Sequence, residues 1–206
     1  MKITKYNHSC LLVEENGKIA LFDPGNYSLP IFSINNVKQL DYILITHEHQ
    51  DHFDIAFVRQ LVSLFPQAKI VTTNSIKNIL AKENMVASSE GDENVSLTPV
   101  PHEKIWMGNP VENVMITFMN KISHPGDSLT FSQSADILAL PIQAPWGSTE
   151  WAIETALKVK PKVIVPIHDF YWKDDVRMGM YERLKEYFAT QGIDFRAMDN
   201  GKTVEV

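Results

Sequence analysis

Hydrophobic and polar positions alternate with period two at the start of the chain. "MKITKY" (1–6), "SCLLVE" (9–14) and "IALFD" (19–23) read as short strands. The turn-forming "ENGK" between the last two predicts an antiparallel opening. A continuous apolar run, "YILIT" (42–46), then predicts a buried strand. In "DIAFVRQLVSLF" (54–65) the apolar Ile55, Phe57, Val58, Leu61, Val62, Leu64 and Phe65 recur at helical spacing, which predicts a helix packed on a sheet. "AKIVTT" (68–73) predicts the next strand, and "NSIKNILAKEN" (74–84) a helix capped by Asn74 or Ser75.

A second strand-rich block follows, with "VSLTPV" (95–100), "NVMITFM" (113–119), "KIS" (121–123) and "SLTFS" (128–132) separated by Gly, Pro and Asn. Alternation then returns as strand "DILALP" (136–141), helix "STEWAIETALKVK" (148–160), buried strand "PKVIVPI" (161–167) and helix "MGMYERLKEYFATQG" (178–192). Each half runs from strands into strand–helix alternation, so the fold class is α/β, with two similar layers facing each other. The halves are too dissimilar to count as a sequence repeat.

Composition narrows this picture. A chain of 206 residues, 44% hydrophobic, can bury one sizeable core, and no linker divides it, so residues 1–206 are expected to form one domain. Apolar runs such as "KVIVP" stop far short of the roughly 18–20 residues that span a bilayer. The N-terminal segment lacks the apolar core of a secretory signal, and a cytoplasmic location is expected. Cys10 is the only cysteine, which excludes an internal disulfide. With 25 acidic against 19 basic residues the net charge is −6, which disfavours binding to nucleic acid without excluding a local basic groove.

Candidate chemistry concentrates in "THEHQDHF", where His47, His49 and His52, three of only 7 histidines, crowd together at the end of "YILIT". Residues two apart on an extended segment point the same way, so His47 and His49 can aim at one point. Where the chain bends into the helix, Asp51 and His52 can face a neighbouring one. Imidazole and carboxylate without cysteine are donors for a catalytic zinc, manganese or iron site. A solvated turn with accidental histidines is the plainer alternative, and the density at the end of a buried strand weighs against it. His102 in "PVPHEK", Asp127 in "HPGDS" and His168 in "PIHDF" also sit at strand ends, where an open α/β sheet gathers its site.

"THEHQDH" matches the HxHxDH signature of the metallo-β-lactamase superfamily, and "FDPG", "PVPHEK", "HPGDS" and "PIHDF" follow in that family's order. "HPGDS", "DILALPI" and "PKVIVPIHDF" resemble the branch containing L-ascorbate-6-phosphate lactonase. The resemblance implies an αββα sandwich of two mixed β-sheets flanked by helices. It implies two divalent metal ions, zinc first, with manganese or iron as alternatives. One would be held by His47, His49 and His102, the other by Asp51, His52 and His168, with Asp127 bridging. Asp51 and Asp127 would then be catalytic residues, and His124 a substrate contact or proton donor unless its role is structural. Asp23 of "FDPG" would orient a ligating histidine, or simply begin a turn before Pro24.

His8 in "YNHSC" resembles the family's "GHS" opening, with Asn7 in place of the usual glycine. His8, Trp106, Trp146 and Tyr171 are candidates for a substrate pocket. The expected activity is hydrolysis of a small ester, lactone or phosphoester by a hydroxide between the metals. A metal-dependent nuclease and a non-catalytic metal-binding protein on the same scaffold are the alternatives. A small-molecule substrate is the expected partner, no membrane is expected, and homo-oligomerisation is left open.

Overall fold

The computed structural model describes residues 1–34, 37–106 and 111–206. The period-two opening forms β1 (Lys2–Lys5), β2 (Leu11–Glu15) and β3 (Lys18–Phe22). Next come β4 (Tyr42–Leu44), α1 (Ile55–Leu64), β5 (Lys69–Val71), α2 (Asn74–Lys82) and the short β6 (Ala87–Ser88). The second half runs β7 (Val95–Pro99), β8 (Val114–Phe118), β9 (Ile122–His124), β10 (Ile137–Pro141), α3 (Thr149–Val159), β11 (Val163–Ile167) and α4 (Asp174–Thr190). It closes with β12 (Asp194–Phe195) and β13 (Thr203–Glu205).

Two sheets result, ordered β13-β1-β2-β3-β4-β5-β6 and β12-β11-β10-β9-β8-β7. Each is mixed in the same way. β1, β2 and β3 are antiparallel neighbours and β3 to β6 are parallel; β7, β8 and β9 are antiparallel and β9 to β12 are parallel. The parallel half of each sheet is where the sequence turned to strand–helix alternation, because parallel neighbours require a crossover. β13 returns to pair antiparallel with β1, so the chain's end seals the first sheet.

Side-chain alternation explains the layering. Ile3, Leu11, Val13, Phe22 and Leu44 of the first sheet meet Ile116, Phe118, Ile122, Ala139 and Ile167 of the second in one buried layer. The opposite face of the first sheet packs under α1 and α2 through Leu21, Ile43, Leu61, Ile76 and Leu80. That of the second packs under α3 and α4 through Leu138, Ile164, Ala156, Tyr181 and Phe188. The αββα sandwich implied by the sequence is the observed fold. No helix among the described residues is long and apolar enough to cross a membrane.

Local expectations fail in three places. "SLTFS" is not a strand: the Leu129 N–H goes to the Glu103 carboxylate (2.9 Å) and its carbonyl accepts from Thr155 (3.0 Å), so side chains take the bonds a ladder would need. Its buried Leu129 and Phe131 pack toward α3 and α4, which mimics strand patterning. The cap of α2 is Thr73, whose hydroxyl accepts from the Ile76 N–H, rather than Asn74 or Ser75. α4 begins at Asp174, a turn before the apolar pattern does, because Asp174 and Asp175 suit the positive end of the helix and Arg177 is drawn into the interior.

That interior holds a buried charge cluster. Lys5 is 0% exposed, its ammonium 2.7 Å from the Asp169 carboxylate and 3.0 Å from the Tyr181 hydroxyl. Tyr181 donates to the same Asp169 oxygen, and the Arg177 Nε lies 3.7 Å away. Burial pushes the Lys5 pKa down, although the Asp169 charge opposes it. Elsewhere the chain makes a tight contact at Gly25, where a Cβ would overlap the backbone carbonyl of Asp51.

Gly25→Ala should destabilise the fold by about 1–3 kcal/mol, read as a melting temperature lower by about 2–12 °C for a chain of this size. Lys5→Met should cost up to about 3–5 kcal/mol, because it removes the nearest countercharge of the buried Asp169 and leaves it only Tyr181 and the more distant Arg177. Thermal unfolding should show Lys5→Met melting well below the Lys5→Met/Asp169→Leu double variant, which removes both partners.

Candidate metal centre

The parallel strands of both sheets end at one edge, and the chemistry-bearing residues follow those ends. Asp23 follows β3 directly and His47 comes three residues after β4; Asp127 and His168 follow β9 and β11, and His102 follows β7, an antiparallel edge strand that runs in the same direction as β9. After His47 the chain coils into a turn, with the N–H groups of His52 and Phe53 donating to the His49 carbonyl (2.9 and 2.8 Å). Asn26 N–H to Gln50 O (2.8 Å) and Asp54 N–H to Pro24 O (3.0 Å) bind this turn to "DPGN". The close approach leaves no room for a side chain at Gly25. Asp54 then caps α1 by accepting from the Phe57 N–H at 2.8 Å.

Hydrogen bonds fix which nitrogen of each ring faces inward. The Nδ1 of His102 is 2.6 Å from the Glu103 carbonyl and that of His168 is 2.8 Å from the Gln143 carbonyl. The His52 Nδ1 is 2.6 Å from the Asp23 carboxylate. These oxygens only accept, so each Nδ1 carries the proton and a neutral ring turns the lone pair of its Nε2 inward. His47 follows the same logic through Thr46: its Nδ1 is 3.1 Å from the threonine hydroxyl, which donates to Asp23 at 2.8 Å.

The inward lone pairs face a carboxylate. Asp127 Oδ1 is 2.9 Å from His52 Nε2 and 3.1 Å from His168 Nε2; Oδ2 is 3.4 Å from His102 Nε2 and 3.8 Å from His47 Nε2. Acceptors opposed at such distances, all buried, demand positive charge between them. Among the described residues the Nε2 atoms of His47, His52 and His168 and Oδ1 of Asp127 have no hydrogen-bond partner. The donors form two groups, each with its ligand atoms within 4.8 Å of one another: His47, His49, His102 and Asp127, and His8, Asp51, His52 and His168. This donor set fits two divalent cations.

Protonation equilibria record the same demand. Burial penalises charge on His52 and His168, yet Asp127 overcomes it and raises both. Burial would raise the Asp127 carboxyl, but His168, His52 and His47 hold it well below the usual range. His47 is pushed well down by burial and then by its neighbour His52. Asp51 is lowered too, the pull of His52 and His8 outweighing desolvation.

The remaining candidates are distributed unevenly. Asp23 is completely buried and accepts from the Thr46 N–H (2.8 Å) as well as from the Thr46 hydroxyl and His52, so it orients both His47 and His52. His8 stands within the second donor group, its Nε2 3.1 Å from Asp51 and its ring 4.0 Å from that of His168, rather than on a pocket wall alone. Burial, then His168, lowers its pKa to about 4. Asn7 adopts φ +69°, a left-handed conformation that asparagine tolerates, which explains how it replaces glycine.

His124 needs correction as a substrate contact or proton donor: it is 0% exposed, stacked on Phe22. Its Nε2 donates to the Ser9 carbonyl (2.9 Å) and its Nδ1 accepts from the Gly126 N–H (3.3 Å), so it has no proton to offer a substrate. Trp106 needs correction too. Glu103 is pinned by its N–H to the Asp127 carbonyl (2.9 Å), but Trp106 lies beyond it, 85% exposed. Trp146 does reach the centre, its indole N–H donating to Asp127 Oδ2 at 2.9 Å.

Tyr171 stands beside the centre as part of an aromatic wall. Its hydroxyl is 3.2 Å from that of Tyr27, whose ring stacks on Phe170 at 4.0 Å and meets His8 edge-on at 5.2 Å. Tyr27 was not legible from the sequence, because only the long-range approach of two loops brings it there.

Comparison with known proteins agrees with this fold. A family model described as the β-lactamase superfamily domain matches residues 2–168. Protein Rv0786c of Mycobacterium tuberculosis is 32% identical over 217 residues, covering 99% of both chains. A UPF0173 metal-dependent hydrolase of Nanoarchaeum equitans is 28% identical over 232 residues, covering 100% of both. Among solved structures, the metallo hydrolase Igni18 of Ignicoccus hospitalis has the same fold, with a TM-score of 0.71 at 20% identity over 98% of this chain and 97% of that one. On its sheets, its strand-end histidines and this match over most of its length, the chain belongs to the metallo-β-lactamase superfamily.

Proposed function

We propose that the chain is a dinuclear hydrolase of a small ester, lactone or phosphoester. The observation that carries this reading is the buried Asp127 carboxylate set among the inward lone pairs of four histidines. One cation position takes His47, His49 and His102, the other Asp51, His52 and His168, and Asp127 is shared. Zinc is the expected metal, with manganese or iron able to use the same donors. Cations held there supply Lewis acidity and lower the pKa of bound water toward about 7.

The protein's own groups prepare that chemistry. Trp146 fixes one oxygen of Asp127, which holds the shared carboxylate at a defined orientation. Asp23 and the carbonyls of Glu103 and Gln143 fix the tautomers that keep Nε2 free. Tyr27, Phe170 and Tyr171 offer aromatic surface beside the centre, suited to a small substrate with an apolar or sugar-like body. The likeness of "HPGDS" and "PIHDF" to the ascorbate-6-phosphate lactonase branch supports a lactone, and the net charge of −6 weighs against nucleic acid.

Elemental analysis of the purified chain should find two divalent ions per molecule. A panel of lactones, phosphomonoesters, phosphodiesters and RNA, with and without chelator, should find chelator-sensitive turnover of a small substrate; metal-free protein or chelator-resistant turnover would sink the reading. Asp127→Ala should lose metal and hydrolysis together, and retention of two ions with normal turnover would refute its shared position. Asp23→Asn should weaken metal binding by about 10–100-fold, since it touches only the orienting bonds, as measured by competition with a chromophoric chelator.

A further inference from the structure

The N-terminal loop carries a histidine that the dinuclear arrangement proposed above does not use. We infer that His8 is a fourth protein donor at the second cation position, beside Asp51, His52 and His168. The inference rests on that dinuclear reading. Ligand atoms of these four residues lie within 4.8 Å of one another. The His8 Nε2 to Asp51 Oδ2 separation is 3.1 Å, and two donors about 2.1 Å from one zinc at a tetrahedral angle stand about 3.4 Å apart. A hydrogen bond to Asp51 would account for that one nitrogen, but Nδ1 is buried with no partner among the described residues.

The backbone holds the ring in this place. His8 has φ +45° and His168 φ +64°, conformations uncommon for residues with a Cβ. The His168 N–H donates to the His8 carbonyl at 3.2 Å, tying the two loops to each other. Such strain persists only where the surroundings over-determine it. Here the surroundings bring an N-terminal imidazole, 1% exposed, to a centre otherwise built from later strand ends.

The consequence is asymmetry. The second position has three imidazoles and a carboxylate of its own, while the first has three imidazoles and the shared Asp127. The more open side is then that of His49, which lines a groove of about 480 Å³ with Glu48, Phe53, Ile55 and Ile79.

The test uses the full-length chain stripped of metal and titrated with Zn²⁺ against a chromophoric chelator, and with Co²⁺ followed by its visible absorption. His8→Gly and His8→Asn both accept a left-handed backbone, so neither should unfold, which thermal melting checks. The expected result is two zinc sites in the wild type, and in both variants one site at least about 10-fold weaker with a changed cobalt spectrum. Free imidazole should restore the spectrum in His8→Gly, which a merely structural histidine would not allow. Two sites of unchanged affinity and spectrum in the variants would overturn the inference and leave the dinuclear reading standing. Wild-type protein that binds no metal would overturn both.

Discussion

Everything at the working edge of this molecule depends on one carboxylate that has no lysine or arginine partner among the described residues. Asp127 is 3% exposed, and its oxygens face imidazole nitrogens whose protons are committed elsewhere. A buried anion opposed by lone pairs is unfavourable by several kcal/mol unless positive charge arrives. Protons on His52 and His168 are one supply, which is why both are held toward their charged form. Divalent cations would be the other, and they would satisfy the inward nitrogens at once. On the proposed reading, metal binding would consolidate this edge, because the ions would relieve repulsion that folding creates.

The outer contacts decide whether those nitrogens are available. Asp23 does most of this work from a position that is itself strained, at φ +43°. Its two oxygens collect the Thr46 N–H, the Thr46 hydroxyl and the His52 ring, so one side chain sets the orientation of ligands around both positions. His124 supports the same region from behind, joining β9 to the loop before β2 through the Ser9 carbonyl. A structural histidine and a catalytic one can look alike in sequence, since both stand at a strand end; what separates them is where the second nitrogen goes.

Much of this was legible in the sequence, for a physical reason. Ligands placed at the C-terminal ends of buried strands interrupt apolar runs with His or Asp, and "YILITHEH" and "KVIVPIHD" display that break directly. The helices α1 and α3 were legible because their apolar spacing and their caps, Asp54 and Ser148, agree. Features that depend on distant pairing were not. β12 and β13 are two and three residues long and exist only because an edge strand is there to receive them. "SLTFS" carries strand-like patterning but spends its backbone groups on side chains. Tyr27 and the donor-group position of His8 arise from loops folding over one another, which no local period encodes.

The two buried aspartates beside His168 show how the chain distinguishes a permanent charge from one that must be met by an ion. Asp169 is completely buried, and the fold supplies its countercharge from within: the Lys5 ammonium at 2.7 Å, the Tyr181 hydroxyl and the nearby Arg177. That cluster welds β1, the end of β11 and α4 together directly behind His168. Asp127 is equally buried, yet its neighbours are four histidines and the Trp146 N–H, none a fixed cation. A lysine at the centre would stabilise the same carboxylate more simply, but it would occupy the space that the proposed divalent ions would need. The interior thus neutralises the aspartate that anchors the site and leaves exposed to need the one that serves it, so the demand for metal is built in one residue away from a salt bridge that demands none.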